Sequence, residues 1–330
     1  MTILICNTNL AVRTVACQVM DRPEVQYIIL TDLDNVVQFF SLLNFPNATI
    51  TKYQSGCSLL SIYKILSIRK PLKKLIDDNS INGVYYYHQG FGGMFNWFIT
   101  YAHRKNIPIT YYRVLGPYSV PLAKRSLKML FFKYYNKFVY NADVNMHDGG
   151  GGHFTPILSD YFKTSNCIEE KKYEVLSETL AKIIDKILVN LNIRHNPKVV
   201  LLTGSVIATG QVRIEEYTAK IRLIIDSIGP ENIIAKCHPR FSDEVSVEKS
   251  LPHIPSFVPM EFLLDMFPIY IGYGSTILSM ACEKGKTAIS CVDLMKSIDS
   301  TNPQRIHSYF ANSSIIYPTD VHTLLKYITI

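Results

Sequence analysis

Three short segments carry side chains that can bind an anion or transfer a proton. In the first, ENIIAKCHPRF at 231–241, an apolar run ends in Lys236, His238, Pro239 and Arg240. A histidine near neutral pH can donate a hydrogen bond to a phosphate oxygen, or protonate that oxygen as it leaves, and proline fixes the turn. His238 is therefore a candidate anion-binding or acid residue. The alternative is a histidine that caps the end of a strand.

The second segment is IYIGYGSTILSMACEKG at 269–285. Its apolar stretch stops at a Gly-Tyr-Gly turn that ends with Gly274, and Ser275 and Thr276 then open a helical pattern. Glycines let a backbone approach a ligand closely, and a helix N-terminus with two hydroxyls offers donors to a phosphate. The alternative is an ordinary helix cap, where Ser and Thr are favoured in any case.

The third segment is VNMHDGGGGHF at 144–154, which continues a predicted strand into a glycine-rich loop. Asp148 stands where the strand ends, and a carboxylate there can face an incoming hydroxyl and act as a general base. Two alternatives remain. The glycines could mark only a turn or hinge, or His147, Asp148 and His153 could hold a metal ion.

A fourth segment, TDLDNV at 31–36, contains the pair Asp32 and Asp34. Asp-x-Asp pairs can bind a divalent ion that bridges a nucleotide diphosphate. A turn followed by a helix start is the favoured interpretation, because the helix dipole stabilises acidic residues in the first turn. We therefore expect no metal and no cofactor.

Apolar stretches of strand length alternate with helical patterns along most of the chain. This alternation predicts an α/β fold with parallel sheets. The predicted strands are residues 2–6, 26–31, 48–53, 83–88, 107–112 and 142–147, followed by 198–204, 232–236, 255–259, 268–274, 286–292 and 313–318.

Between the two sets of strands, residues 169–196 form a charged stretch that predicts one long helix closed by Pro197. The length of 330 residues and this polar connector favour two domains. We predict a Rossmann-like acceptor-side domain at 1–168, an inter-domain helix at 169–197 and a Rossmann-like nucleotide-binding domain at 198–330.

The net charge of +7 predicts an anionic partner without saying which one. Two basic segments, 68–74 and 123–138, suit either a peripheral contact with an anionic membrane surface or core helices with a solvated basic face. No apolar run is long enough to span a membrane and no leader is visible, so a cytoplasmic protein is expected. The seven cysteines predict buried thiols rather than disulfides or zinc. No nucleic-acid partner is expected, and a homodimer is left open.

Taken together, Asp-Gly at 148–149, Lys-x-His-Pro at 236–239 and Gly-x-Gly-Ser-Thr at 272–276 resemble the motifs of bacterial sialyltransferases, especially glycosyltransferase family 52. These enzymes act in capsule and lipooligosaccharide synthesis. The opening ILICNTNLAVRTVACQV at 3–19 also looks like that family's strand, turn and helix, so the resemblance covers most of the chain. It implies a GT-B architecture, with two Rossmann-like domains facing each other across a cleft, and CMP-sialic acid as the donor.

Carried over by residue, the resemblance implies that His238 and the Ser275-Thr276 pair bind the CMP phosphate and that Asp148 is the acceptor base. The family's motif begins with an acidic residue where this chain has His147, which keeps Glu215 and Glu216 as reserve candidates for the base. Glu261 is implied as a ribose contact, with a helix-start glutamate as the alternative. The other predicted substrate-binding residues are Gly204, Ser205, Lys236, Arg240, His147, Gly149 and Gly274.

The implied reaction is an inverting, metal-independent transfer of sialic acid from CMP-sialic acid to a hydroxyl of a terminal sugar, expected to be galactose. The residue types suit it, because the enzyme must neutralise a leaving phosphate and deprotonate a sugar hydroxyl. One alternative is a GT-B enzyme that uses a UDP- or GDP-sugar. The other is a non-catalytic protein that binds nucleotides or polyanions.

Overall fold

The computed structural model divides into two compact units, unit 1 at Met1–Ile187 and unit 2 at Leu188–Ile330. The residues it describes are 1–53, 62–78, 80–87, 93–112, 134, 138, 146–148, 154–156, 168–171, 173–191, 197–239 and 245–328.

Unit 1 is built on a six-stranded parallel sheet with helices between its strands. The strands of this sheet are β1 (Thr2–Ile5), β2 (Tyr27–Thr31), β3 (Ala48–Lys52), β4 (Gly83–Tyr86), β5 (Ile109–Tyr112) and β8 (Ile168–Lys171). Between β5 and β8, β6 (Met146–Asp148) and β7 (Phe154–Pro156) pair with each other in a separate two-stranded sheet. The helices are α1 (Asn9–Asp21), α2 (Asp34–Leu43), α3 (Ile62–Asp78), α4 (Gly93–Arg104) and α5 (Ser177–Leu191).

The strand order of the unit 1 sheet is β3-β2-β1-β4-β5-β8. The chain therefore moves outward from β1 on one side and returns to continue on the other, which is the doubly wound order of a Rossmann sheet. Central strands of such a sheet are covered on both faces, and so they are apolar at nearly every position. Both β1 and β2 are buried along their whole length.

Unit 2 repeats this arrangement with five parallel strands in the order β11-β10-β9-β12-β13. The strands are β9 (Val199–Leu202), β10 (Ile233–Lys236), β11 (His253–Ile254), β12 (Ile269–Gly272) and β13 (Thr287–Ser290). The helices are α6 (Ile214–Ile228), α7 (Ser246–Lys249), α8 (Thr276–Glu283), α9 (Asn302–Tyr309) and α10 (Val321–Leu325), with short 3₁₀ turns at Pro230–Asn232, Met260–Phe262 and Val292–Leu294.

The predicted α/β class is confirmed, with two Rossmann-like parallel sheets in succession along the chain. Three strand predictions were wrong in detail. The segment predicted at 142–147 contributes to the β6–β7 hairpin rather than to the parallel sheet. The segment at 255–259 follows the two-residue strand β11, and the segment at 313–318 makes only a single bridge, from Ile316 to Ile289.

The long helix predicted from residue 169 was also wrong, because β8 and α5 occupy that stretch as two separate elements. Glu169, Glu170 and Lys171 favour a helix by composition, but they pair with β5 at the edge of the sheet, where tertiary hydrogen bonding overrides propensity. The division between the units falls inside α5. The predicted domain boundaries and the roles of the two domains stay predictions.

Within the part of the chain that the structure describes, no helix is long and apolar enough to cross a membrane. The basic segment 68–74 lies on α3, where Leu72 is buried and Lys70, Lys73 and Lys74 are exposed. The apolar side of this stretch therefore packs in the core of unit 1, and its lysines face solvent. Of the second basic segment, 123–138, only Tyr134 and Phe138 are among the described residues.

Candidate functional site

The carboxyl ends of three neighbouring strands of unit 2 lie side by side. In the sheet register, Leu202 at the end of β9 is opposite Lys236 at the end of β10 on one side and Gly272 at the end of β12 on the other. The loops after β10 and β12 carry two of the predicted segments, and the loop after β9 carries the predicted residues Gly204 and Ser205. They therefore meet at one edge of the sheet, at the point where the strand order reverses and where open α/β sheets bind ligands.

Lys236 lies below the His-Pro turn, with only 6% of its surface exposed. Its Nζ donates to the carbonyl oxygens of Cys237 at 2.7 Å and Ser256 at 3.2 Å. The buried ammonium thus joins the end of β10 to the segment that leads into the 3₁₀ turn containing Glu261. His238 is half-buried and stands two residues further along the turn.

The backbone at the end of β10 is also hydrogen-bonded to the residue that follows β9. Both the backbone N–H and the Oγ1 hydroxyl of Thr203 donate to the Lys236 carbonyl, each at 3.1 Å. Gly204 and Ser205 follow at once and are half-buried. The two predicted loops therefore start from one hydrogen-bonded frame.

The Gly-x-Gly-Ser-Thr segment forms the turn between β12 and α8. Ser275 is the N-cap of α8, and its Oγ accepts from the backbone N–H of Ile277 at 3.3 Å. Because this oxygen is the acceptor in that bond, its own hydroxyl proton can be donated to a ligand. Thr276 and Gly274 are exposed. The helix N-terminus thus presents hydroxyl and backbone donors, as the sequence predicted.

A polar network, which the sequence did not reveal, holds this turn in place. Tyr273 shares a 2.6 Å hydrogen bond with Ser297, and the Asn302 side-chain amide donates to the Tyr273 hydroxyl and to the Gln211 side chain, each at 3.2 Å. Gln211 is the last residue of the loop 203–211, which follows β9. The network therefore ties the loops after β9 and β12 to α9. Only the position of Tyr273 in a strand-end turn could have indicated it.

Gly274 leaves little room for a side chain in this arrangement. An added Cβ would lie 3.2 Å from Cδ1 of Ile306 on α9. Gly272 is similarly tight, since an added Cβ would be 3.1 Å from the Cβ of Leu202. The two glycines thus permit close packing of β12 against β9 and of the turn against α9.

Glu261 and the two reserve bases lie on separate elements of unit 2. Glu261 is half-buried in the 3₁₀ turn Met260–Phe262. Glu216, in the first turn of α6, accepts from the backbone N–H of Lys296 at 3.2 Å, and its neighbour Glu215 is exposed. The bond to Lys296 gives Glu216 a structural role.

Asp148 and His147 lie in unit 1, in the short hairpin of β6 and β7. Their backbones pair with Phe154 and Thr155 respectively. Asp148 therefore does end a strand, although that strand is outside the parallel sheet. The predicted residues Gly149 and Arg240, together with His153 of the alternative metal site, lie outside the described residues.

The two aspartates of the 31–36 segment have different environments. Asp34 is the first residue of α2, as expected for a helix start, and its Oδ1 forms an ion pair with Lys52 at 2.5 Å. Asp32 follows β2, and its Oδ1 is shielded from solvent without a hydrogen-bond partner. Among the residues that the structure describes, no group of three or more His, Cys, Asp or Glu side chains could hold a metal ion.

Cys291 follows β13 beside the same edge, and its backbone N–H donates to the Gly272 carbonyl at 2.8 Å. Burial raises the pKa of its thiol to about 12. The group therefore stays a neutral thiol near pH 7 and is no nucleophile there. The chemistry that the described part of this edge supports is the binding of an anion by histidine, hydroxyl and backbone donors.

Comparison with known proteins found no matching family model and no matching curated protein. Among solved structures, the chain is similar to a UDP-GlcNAc 2-epimerase from Methanocaldococcus jannaschii, with 15% identity over 100% of this chain and 91% of that chain, at a TM-score of 0.49. It is similar to an α/β-galactoside α-2,3-sialyltransferase from Photobacterium phosphoreum, with 12% identity over 96% and 97%, at a TM-score of 0.46. A spinosyn rhamnosyltransferase has 10% identity over 99% and 88%, at a TM-score of 0.47. At these values, any functional argument must come from the residues of the chain itself.

Proposed function

We propose that this chain is an inverting sialyltransferase that moves sialic acid from CMP-sialic acid to a hydroxyl of a terminal galactose in a bacterial capsular polysaccharide or lipooligosaccharide. The observation that carries the proposal is the convergence of the His238 turn, the loop at Gly204 and the Ser275 cap at one edge of unit 2. The turns at His238 and Ser275 are each predicted to bind an anion and Gly204 to bind substrate, and the strands that lead into them, β10, β12 and β9, are neighbours in the sheet.

On the donor side, the CMP phosphate would lie at the N-terminus of α8. Ser275 and Thr276 would donate hydroxyl hydrogen bonds to it, and the helix dipole would stabilise its negative charge. His238 would donate to a phosphate oxygen and stabilise the charge that develops as the bond between sialic acid and phosphate breaks. The phosphate leaves with the electron pair of that bond as CMP.

On the acceptor side, Asp148 is the proposed general base. It would take the proton of the acceptor hydroxyl while that oxygen forms the new bond to the anomeric carbon. A single displacement inverts this carbon, so the β-linked donor would give an α-linked sialoside. A monophosphate leaving group also needs less neutralisation than a diphosphate, so no metal is invoked.

The proposal includes a peripheral contact with an anionic membrane surface, where such acceptors are assembled. The exposed lysines of α3, Lys70, Lys73 and Lys74, are its described contributors. Each lysine near an anionic surface contributes about 1 kcal/mol. This contact would place the enzyme at the inner face of the cell membrane.

The test is the release of CMP from CMP-sialic acid in EDTA, with lactose or an N-acetyllactosamine glycan as acceptor. We expect metal-independent turnover by the wild type and a loss of about a hundredfold or more in kcat/KM for His238→Ala and Asp148→Ala. His253→Ala is the matched control, since this half-buried histidine lies on β11 beside β10, and it should keep wild-type activity.

Failure to release CMP with any acceptor, together with no CMP binding by calorimetry, would overturn the proposal. Turnover of a UDP- or GDP-sugar under the same conditions would support the alternative GT-B enzyme. Binding of RNA or anionic vesicles without turnover of any nucleotide sugar would instead support a non-catalytic protein.

A further inference from the structure

The first residue of α9, Asn302, joins two of the loops in unit 2 that are proposed to bind the donor. Its side-chain nitrogen donates one hydrogen bond to the Tyr273 hydroxyl and one to the Gln211 side-chain oxygen, each at 3.2 Å. Tyr273 stands two residues before Ser275, and Gln211 is the last residue of the loop that contains Ser205. An amide nitrogen has two protons, so each loop receives one of them.

A series of hydrogen bonds continues from Gln211 to the backbone of Ser205. Gln211 Nε2 donates to Thr209 Oγ1 at 3.0 Å, and Thr209 Oγ1 donates to the Ser205 carbonyl at 2.5 Å. A carbonyl can only accept, so the single proton of the Thr209 hydroxyl goes to Ser205. Gln211 must then donate to Thr209 with its nitrogen, and its oxygen is turned towards Asn302. The series therefore requires a donor at residue 302, which the amide nitrogen of Asn302 supplies.

On the other side of Asn302, Tyr273 is held at both ends. Its hydroxyl shares a 2.6 Å hydrogen bond with Ser297, and its carbonyl accepts from the Ser290 hydroxyl at 2.5 Å. Only 4% of the Tyr273 surface is exposed. A single glycine separates Tyr273 from Ser275, and glycine has the most freedom of any residue. The hydrogen bonds of Tyr273 thus limit where the helix cap at Ser275 can lie.

The helix α9 is also fixed to unit 2 by contacts that do not involve Asn302. His307 Nε2 lies 3.0 Å from Asp293 Oδ2, in the 3₁₀ turn after β13. Ile306 lies against Gly274, where an added Cβ would be 3.2 Å from its Cδ1. A substitution of Asn302 therefore leaves the helix attached and removes only the amide that joins the two loops.

We propose that Asn302 and Gln211 are positioning residues for the phosphate-binding loops of unit 2. Their amides hold the loop of Ser205 and the helix cap at Ser275 at a fixed separation, and they act through these loops rather than on the ligand. Donors that are already in place bind an anion more tightly, because less order has to be created on binding. The ligand class is a nucleotide phosphate, and this choice rests on the proposed function.

The test measures nucleotide binding to the full chain by calorimetry, with CMP, UDP and GDP as the probes. The variants are Asn302→Ala, Gln211→Ala and the double variant. We expect each single substitution to raise the Kd of the bound nucleotide about tenfold. The double variant should raise it by no more than about thirtyfold, because both residues belong to one series. Two independent residues would give about a hundredfold.

Asn232→Ala is the matched control. Asn232 is also half-buried, and its amide donates to the Ile228 carbonyl at 3.0 Å and to the Glu231 side chain at 3.3 Å. It precedes β10, at the opposite edge of the sheet, so its substitution should change the nucleotide Kd by less than about twofold. Urea unfolding would verify that every variant is folded where Kd is measured.

Turnover of CMP-sialic acid separates positioning from a merely structural role. Asn302→Ala should raise the KM for the donor about tenfold and change kcat by less than about threefold, because the residue holds the binding loops and does not touch the reacting bond. A loss of folded protein alone would instead lower the apparent kcat and leave KM unchanged.

Unchanged Kd values in both single variants would overturn the inference, as would a hundredfold rise in the double variant or an equal loss of affinity in Asn232→Ala. A chain that binds UDP or GDP in place of CMP, and loses that affinity in Asn302→Ala and Gln211→Ala, keeps this inference and loses the proposed function. Turnover of CMP-sialic acid with unchanged KM in the two variants gives the opposite result. Absence of binding of all three nucleotides would overturn both.

Discussion

The two units have similar sheet topologies but differ in the hydrogen bonding of polar groups at the carboxyl edges of their sheets. In unit 2, Lys236, Thr203 and Tyr273 are bonded to other parts of the same edge, so a protein frame supports the donors of the loop tips. In unit 1, Asp32 Oδ1 and the Tyr53 hydroxyl are shielded from solvent and have no hydrogen-bond partner. The ends of β9, β10 and β12 are thus joined by side-chain hydrogen bonds, although the Tyr317 hydroxyl beside β13 is also shielded and unpaired. The ends of β2 and β3 have no such bonds at these two atoms.

This difference bears on ligand binding in unit 2 and on stability in unit 1. A frame that is already hydrogen-bonded holds the donors of unit 2 in a fixed geometry, which suits a charged phosphate. Shielded polar atoms without partners, as in unit 1, have lost their bonds to water and lower the stability of the fold.

The largest effect is expected from a buried, hydrogen-bonded glutamate of unit 2. Glu248 is fully buried and accepts from the Tyr217 hydroxyl at 2.6 Å and from the Val245 backbone N–H at 2.8 Å. Glu248→Ala removes the carboxylate that accepts both bonds and should lower the free energy of unfolding by about 3 kcal/mol. Urea denaturation measures it, with Glu283→Ala, exposed at the end of α8, as a control that stays within about 0.5 kcal/mol.

The same substitution in the two units should have different consequences. Tyr217→Phe removes a hydroxyl that donates to a carboxylate and should cost about 1.5–3 kcal/mol of unfolding free energy. Tyr53→Phe removes an unpaired hydroxyl and should leave the stability of the ligand-free protein equal or higher. A loss for Tyr53→Phe as large as that for Tyr217→Phe in urea denaturation would show that the Tyr53 hydroxyl is hydrogen-bonded too.

Alkaline pH should reveal a property that both units share. Burial raises the pKa of Cys291 in unit 2 and of Cys17 in unit 1 to about 12, from an ordinary value of 9.0. A folded pKa above the unfolded one gives stability that is complete below pH 9 and is lost as the pH rises from 9 towards 12. Cys291→Ala and Cys17→Ala should each reduce the slope of unfolding free energy against pH by up to about 1.4 kcal/mol per unit.

The matched control is Cys282→Ala. Because Cys282 on α8 is only half-buried, this substitution should change the slope of unfolding free energy against pH by less. Equal slopes for the wild type and Cys291→Ala between pH 9 and 11 would contradict the assignment of a buried neutral thiol.

The smallest effects concern the helix starts at the two edges. Ser275 caps α8 with its side chain, whereas α2 has Leu33 at its cap and only the exposed carboxylate of Asp34 in its first turn. Ser275→Ala should cost about 1 kcal/mol of stability, and Asp34→Asn only a few tenths. Calorimetry should show weaker CMP binding for Ser275→Ala and unchanged binding for Asp34→Asn. Unchanged CMP binding in both would remove Ser275 from the donor site.

Much of the fold could be predicted because its signals are local. The apolar runs of β1, β2, β9 and β12 mark central strands of parallel sheets, and the turn residues mark their ends. Prediction failed for β8, whose charged composition is typical of a helix and whose strand pairing depends on β5, more than 50 residues earlier in the chain. Propensity does not determine the structure where long-range hydrogen bonds compete with it.

The sequence by itself determined the α/β class and the positions of His238, Ser275 and Asp32 after strands, because these follow from apolar periodicity and turn chemistry. Only the tertiary structure decided that the loops after β9, β10 and β12 are neighbours, because strand order and register depend on contacts between distant segments. It also decided that Lys236 donates to two carbonyls while Asp32 Oδ1 and the Tyr53 hydroxyl are left without partners. Hydrogen bonding and burial of a side chain are set by what packs around it.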